Sequence, residues 1–396
     1  MPKNRFFVFV AVSVLIGIMS GLLLAEIGLR LWGPSWLKQR MKEVGVKNST
    51  GIDPAYLDSD KYWPVERRDG KFLSYVPFSE FDVLHYEYKN KAHIDEWGGR
   101  RVEPPDFLRS NTLIFFLGDS FTFGVGVEDF ETWVSILGKK LGYRFENLGT
   151  PGSCLLNNLD LLELRHEDLG QPPLYCFSVF VGNDFIKLID QPVFQKNSDQ
   201  LSKTGILTRI VESGNNFVRL NPFLRKVFLI QFLKSKMLAQ YNKYLLSRGG
   251  TLRLDDDIFR TISPGVKFDK MAESFDLELA GLLTLSKKFN FRPLFIVIPD
   301  RHQIDDVLLS NKLKFYNLKP SSVDSSLPNR MLKEKFEKYH LPSIDPLNCL
   351  RDSFKKSETK RYYYVLDNHF TKDGQQAFAA CIEKDLKNQL ETLIKE

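Results

Sequence analysis

Four cysteines, six histidines and five tryptophans are few for 396 residues, and each scarcity excludes something. Cys154, Cys176, Cys349 and Cys381 have neither the short paired spacing of metal ligands nor the density of a disulfide scaffold. Cys176 lies in an apolar run and reads as a small core residue. None directly follows the N-terminal apolar stretch, so a lipid-modified N-terminal cysteine is not expected. Charge of one sign is not concentrated either: 55 Lys and Arg against 49 Asp and Glu leave a net +6, interspersed along the chain. Lacking a basic block, the chain is not expected to bind nucleic acid. No internal repeat is visible, and a hydrophobic content of 43% excludes a disordered or fibrous protein.

One long uncharged run does exist: "FFVFVAVSVLIGIMSGLLLA", Phe6 to Ala25, behind the basic leader Met1 to Arg5. About 20 apolar residues at ~1.5 Å each cross a bilayer core of ~30 Å. A buried core helix would seldom be apolar on every face. The run is long for a signal peptide and no small-x-small cleavage site follows, so residues 1–35 are expected to be a retained anchor, with a cleaved signal as the alternative. Lys3 and Arg5 favour a cytoplasmic N-terminus and an extracytoplasmic (periplasmic) remainder, although Arg30, Lys38, Arg40 and Lys42 offset that bias. Trp32 and Trp36 suit the headgroup zone.

Residues 36–108 show no sustained periodicity and read as a connecting segment. From 109 to 396, strands alternate with helices: strand Leu113 to Leu117, helix Phe130 to Leu141, strand Phe145 to Leu148, helix Leu155 to Leu169, strand Leu174 to Val181. The pattern resumes with helix Phe268 to Asn290, strand Pro293 to Pro299, helix Pro328 to Tyr339, a short strand at Ile344 and a helix from Lys372 onward. Such alternation predicts a parallel, doubly wound sheet in a three-layer α/β/α domain. At about 191–262 it is interrupted by an insertion with at least one amphipathic helix, either cover for a sheet edge or a lid, acyl-binding wall or membrane-leaning surface.

In an open parallel sheet, reactive groups gather at the carboxyl ends of strands. Here those ends read "GDS" (Gly118 to Ser120), "NLGTPG" (Asn147 to Gly152) and "VGND" (Val181 to Asp184), and "YYYVLDNHFTKDG" precedes the last helix. A lone "GDS" is also an ordinary turn and helix cap, and "GND" is weaker still; four such blocks in order are specific jointly. Together they resemble the SGNH, or GDSL-type, hydrolase superfamily, in particular its membrane-anchored bacterial branch. The resemblance spans roughly Asn111 to Leu386 apart from the insertion, and implies a flavodoxin-like order for the sheet.

The resemblance implies Ser120 as nucleophile, His369 as base and Asp367 as its orienting acid. It implies oxyanion donors from Ser120 N–H, Gly152 N–H and the Asn183 side chain, Gly152 being preferred to Gly149 by its spacing from Asn147. Asp119 and Asp184 read as loop braces. His166 and His340 are expected in solvent, His85 and His93 precede the domain, and His302 is the rival to His369. Asp367 lies two residues before His369, whereas three is the commonest spacing in the superfamily; two occurs in its polysaccharide-acetylating branches. The implied function is an extracytoplasmic serine esterase acting on an O-acyl, above all O-acetyl, ester of a glycan or lipid. Alternatives are an O-acyltransferase using the same triad, a lysophospholipase or lipase, and a catalytically idle glycan-binding member. Neither a metal nor an organic cofactor is implied.

Overall fold

The computed structural model describes residues 3–35, 37–38, 41, 63–68, 70–85, 87–184, 226–247, 258–365 and 367–395. Two compact units are formed, one of Met1–Thr50, Gln200–Leu254 and Ser310–Pro320, the other of Gly51–Asp199, Asp255–Leu309 and Ser321–Glu396. Helix α1 (Lys3–Trp32) belongs to the smaller unit. Its large apolar side chains from Val14 to Trp32 are mostly exposed, and Ser13–Trp32 is long and apolar enough to cross a membrane.

The larger unit begins with two antiparallel hairpins where the sequence shows no periodicity: β1 (Val65–Arg68) with β2 (Lys71–Tyr75), and β3 (Glu80–His85) with β4 (Tyr88–His93). Strands of four to six residues are too short to build a pattern that stands out. Tyr75, Val83, Ala92 and Ile94 form a small core with Phe123 and Val125, and the Trp63 and Phe81 rings stack on Phe123.

Next come β5 (Ser110–Leu117), the one-turn helix α2 (Ser120–Phe123), α3 (Trp133–Leu141), β6 (Tyr143–Asn147), α4 (Leu155–Arg165) and β7 (Leu174–Phe180). Helix α5 (Phe228–Ser247) lies in the smaller unit. Then follow α6 (Val266–Phe289), β8 (Arg292–Ile298), α7 (Leu327–Lys338), β9 (Ser343–Ile344), α8 (Leu347–Lys356) and α9 (Lys372–Lys395). All five strands from β5 onward pair in parallel, in the order β6-β5-β7-β8-β9, the flavodoxin-like winding.

Alternate side chains of the sheet serve two cores, because helices cover both faces. Phe116, Phe145, Leu294 and Ile296 pack with Trp133 of α3 and Phe378 and Ile382 of α9. On the other face Phe177 stacks on Phe295, which stacks on Phe336 of α7 beside Phe275 of α6. The result is a three-layer α/β/α domain.

In the smaller unit, α1 fixes the start of α5. The Glu26 carboxylate accepts the N–H groups of Phe228 and Leu229 at 3.1 and 2.8 Å, complementing the positive end of that helix. Arg30 bonds Glu26 at 2.7 Å and lies over the Phe228 ring. The helix is not one-sided as expected, since Gln231 and Lys234 are buried while Leu233 and Met237 are exposed. Residues 191–225 and 248–257 of the expected insertion lie outside the described residues.

Between β4 and β5, Arg100 is wholly buried, and its guanidinium uses all five of its N–H groups. Nε donates to Asp129 Oδ1 at 2.9 Å, Nη1 to the carbonyls of Phe123 and Gly124, and Nη2 to those of Lys91 and Val127. The Arg100 N–H itself donates to Asn147 O at the end of β6. Burial pulls the guanidinium pKa down and the Asp129 carboxylate opposes that.

Nothing in the spacing of the four cysteines marks a pair, yet Cys349 of α8 and Cys381 of α9 form a disulfide, while Cys176 is buried in β7 as expected. Closing a loop of this length stabilises a fold by about 3–4 kcal/mol in the chain-entropy account. The Cys349→Ser/Cys381→Ser variant should therefore lower the urea midpoint of the larger unit by an amount that dithiothreitol reproduces in the wild type. Arg100→Met should cost about 3–5 kcal/mol, because Asp129 keeps a buried charge without that partner; a midpoint equal to wild type would show that Arg100 is dispensable.

Candidate active site

The strand β5 stops where it does because Gly118 has no room for a side chain. A Cβ there would lie 1.9 Å from Ser178 Oγ and 2.3 Å from Thr122 Oγ1. Asp119 then caps α2, its carboxylate accepting Phe121 N–H at 2.9 Å, and Gly124 at φ +82° ends the helix after a single turn. Ser120, first residue of that turn, is only 9% exposed.

His369 reaches Ser120 from the segment before α9: Nε2 lies 2.6 Å from Ser120 Oγ, and Nδ1 lies 2.9 Å from Asp367 Oδ2. The Ser-His-Asp chain is thus closed, and the two-residue spacing between Asp367 and His369 accommodates it. Burial would push the Asp367 carboxyl up, but the attraction and hydrogen bond of His369, with the bond from Tyr88, hold it well below the usual carboxylate range. Burial opposes the charged form of His369, and Asp367 outweighs it, raising the imidazole above its ordinary 6.5.

Residues that sequence reading did not single out grip this loop from both sides. The Tyr88 hydroxyl donates to Asp367 Oδ2, and burial followed by the Asp367 charge keeps the phenol protonated. Neighbouring Glu87 accepts the N–H groups of Val365 and Asp367 at 2.8 and 3.0 Å. From the end of β8, Asp300 accepts Asn368 Nδ2 at 2.6 Å and Arg301 donates to Val365 O at 3.0 Å. Nothing in "HYEYKN" marks Tyr88 or Glu87, which meet Asp367 from 279 and 280 residues away. Asp300, by contrast, follows a parallel strand and was findable from that position.

The oxyanion candidates lie at the carboxyl ends of the flanking strands β6 and β7. Gly149 and Gly152 differ clearly. A Cβ at Gly149 would lie 2.3 Å from Phe123 N, so this glycine permits close backbone packing, whereas Gly152, at φ +82°, has open space where its Cβ would be. Asn183 follows β7, and its Oδ1 is buried with no hydrogen-bond partner. Asp184 braces the same turn by accepting Phe180 N–H at 2.8 Å, as Asp119 braces the first.

The other histidines do not reach Ser120. His302 is buried with Nδ1 2.7 Å from Asp300 Oδ1, and His93 Nδ1 lies 2.6 Å from Asp129. His85 stacks on Tyr88 and His340 is exposed. His166, expected in solvent, is instead buried, with its ring nitrogen 2.9 Å from the Tyr175 hydroxyl; the apolar side of its helix end packs on the sheet. Among the described residues no group of three or more His, Cys, Asp or Glu side chains converges as a metal site.

Residues 114–248 match the family model of the GDSL-like Lipase/Acylhydrolase. Over that stretch the chain matches a GDSL-type acylhydrolase. Two solved structures illustrate what it is similar to. A catalytic mutant of Axe2, an acetylxylan esterase from Geobacillus stearothermophilus, is 11% identical over 70% of this chain and 96% of its own, with a TM-score of 0.35. A member of the lipolytic G-D-S-L family from Veillonella parvula DSM 2008 is 12% identical over 69% of this chain and 97% of its own, with a TM-score of 0.33. No curated protein matches the chain.

The GDSL domain is that of an ester hydrolase, and its geometry sets a pH dependence. His369 accepts a proton from Ser120 only when neutral, so kcat/KM should fall as pH drops through a value above 6.5. Tyr88→Phe removes a donor that stabilises the Asp367 anion, making that carboxylate more basic and the imidazolium it faces harder to deprotonate. The acid limb should move to higher pH, with kcat/KM down about 3- to 10-fold. A lower rate on an unmoved limb would reduce Tyr88 to packing.

Proposed function

We propose that this chain is a membrane-anchored, extracytoplasmic serine esterase that removes O-acyl groups, above all O-acetyl, from a glycan through an acyl-serine. The carrying observation is the hydrogen-bonded chain Ser120, His369, Asp367 at the carboxyl edge of a parallel sheet.

In the first half-reaction Ser120 Oγ attacks the ester carbonyl carbon while His369 Nε2 takes the hydroxyl proton. Asp367 holds Nδ1–H and balances the imidazolium charge. The oxyanion is met by the N–H groups of Ser120 and Gly152 and by the Asn183 amide, each donor being worth roughly 3–4 kcal/mol in such sites. Collapse breaks the bond to the alcohol, which leaves with the proton from His369. Water then repeats the sequence on the acyl-serine and releases the acid.

Location outside the cytoplasm is supported by the basic leader before α1 and by the Cys349–Cys381 disulfide, a bond that persists in oxidising compartments. The two-residue spacing of Asp367 and His369 resembles glycan-acetylating members of the superfamily, and it favours a second reading in which a sugar hydroxyl replaces water and the enzyme is an O-acyltransferase.

The test is labelling of the full chain in detergent with a fluorophosphonate probe, together with turnover of p-nitrophenyl esters of two to twelve carbons. Labelling and acetyl-ester turnover should be present in the wild type and lost in Ser120→Ala and His369→Ala. Unchanged turnover in Ser120→Ala would overturn the acyl-serine, and a preference for the longest chains would overturn the acetyl reading. Acylated sugar in excess of free acid, with an oligosaccharide present, would favour the transferase.

A further inference from the structure

Helix α5 meets α1 at a defined depth. The stretch from Phe6 to Ala25 carries no charge, and Glu26, which receives the Phe228 and Leu229 N–H groups, is the first charged residue after it. Every residue from Ser13 to Ala25 is exposed, and partial burial on α1 begins at Glu26, Gly28 and Leu29. The start of α5 is therefore fixed where the uncharged stretch ends, with Arg30 and the exposed Trp32 on the following turn. With α1 across a bilayer, that level is the boundary between acyl chains and headgroups.

The outward side of α5 suits that boundary. Leu233 and Met237 are 57% and 39% exposed and lie four residues apart on one side of the helix, with Lys236 and Gln240 exposed beside them. Gln231 and Lys234 are turned inward and buried. In water this is the reverse of what an amphipathic helix adopts, since apolar side chains stay wet while polar ones are dried. Charge points the same way. The two signs are mixed over the chain as a whole, but from Ser213 to Leu254 eight Lys and Arg stand without one acidic residue. A helix that carries lysines does not sink into the acyl core, and one with Leu and Met on its outer side is not well settled in water. An anionic headgroup layer receives both kinds of side chain.

We infer that α5 is a second membrane element of this protein, lying in the headgroup layer of an anionic phospholipid bilayer. Leu233 and Met237 reach the acyl boundary there, and Lys226 and Lys236 face the phosphates. The inference rests on the anchored reading of α1 and adds a lipid class to it. A lone span fixes only the depth of the chain, whereas a helix lying in the surface also fixes the tilt of the unit that contains it.

The experiment places an environment-sensitive NBD label on the full chain at Met237→Cys or, separately, at Met19→Cys in the exposed stretch of α1. The two free native cysteines are buried, so the label goes to the introduced one. Each protein is reconstituted into nanodiscs of phosphatidylcholine alone or mixed with phosphatidylglycerol, and quenching by lipids spin-labelled near the headgroup or near the acyl end is measured. The label at 237 should be quenched by the shallow spin label in the anionic discs, and the label at 19 by the deep one in both. Lys226→Gln and Lys236→Gln should each lower the docked-to-free ratio at 237 about fivefold, the worth of one basic side chain at an anionic surface. Molar salt should lower it as well. A label at 237 that stays unquenched in anionic discs while position 19 is quenched overturns the role of α5 and leaves the anchor standing. Quenching at 237 that is equal in both lipids and unmoved by either lysine variant overturns the anionic headgroup as partner. Absence of quenching at position 19 overturns the anchored reading, and the inference with it.

Discussion

The buried guanidinium of Arg100 is the constraint on which the placement of Ser120 in the larger unit depends. A charge removed from water is tolerable only if every donor is matched, and each of its five N–H groups has an oxygen. Those oxygens come from the end of the helix that carries Ser120, from β4, from the turn at Val127 and from Asp129. None can shift without exposing an unmatched charge. The same residue's backbone is hydrogen-bonded to Asn147, whose side chain donates to Thr122 O at 2.7 Å and accepts Gly149 N–H at 2.9 Å. Arg100, by side chain and backbone, and Asn147 together therefore tie β4, the Ser120 turn and the glycine turn after β6 to one another.

Against these elements the loop from Tyr364 to His369 is set in place by polar bonds made from two directions. Glu87 and Tyr88 hold it on one side and Asp300 and Arg301 on the other, so Asp367 and His369 are fixed in their places beside Ser120. The electrostatics agree with the geometry: a carboxylate kept anionic by its neighbours faces an imidazole that it makes more basic, with a phenol that stays neutral behind it. Preorganised charge of this kind needs no reorganisation at the moment of reaction.

Much of this was legible in the sequence, for reasons particular to each element. The apolar runs at Leu174 to Val181 and Pro293 to Pro299 sit buried on both faces, and continuous burial needs a continuous run. Gly118 and Ser120 were readable because the turn has strict steric demands. The hairpins were not, being short and anchored by contacts with Phe123 that are distant in sequence. Tyr88 escaped for the same reason: a tyrosine among tyrosines acquires a role only when folding brings it to Asp367. The disulfide partners are 32 residues apart and meet because α8 and α9 pack side by side. His166 misled because the charges around it in "ELRHEDL" say nothing of the one direction in which its ring points.

The Cys349–Cys381 bond also encloses both Asp367 and His369 in one covalent ring while leaving Ser120 outside it. The exposed stretch at Lys355 to Lys360 lies on that ring and is the kind of site where proteases cut. A single cleavage there does not separate the fragments: the last helix, with Asp367 and His369 before it, stays tethered to α8 through sulfur. A nicked molecule thus keeps Asp367 and His369 covalently joined to the part of the chain that carries Ser120.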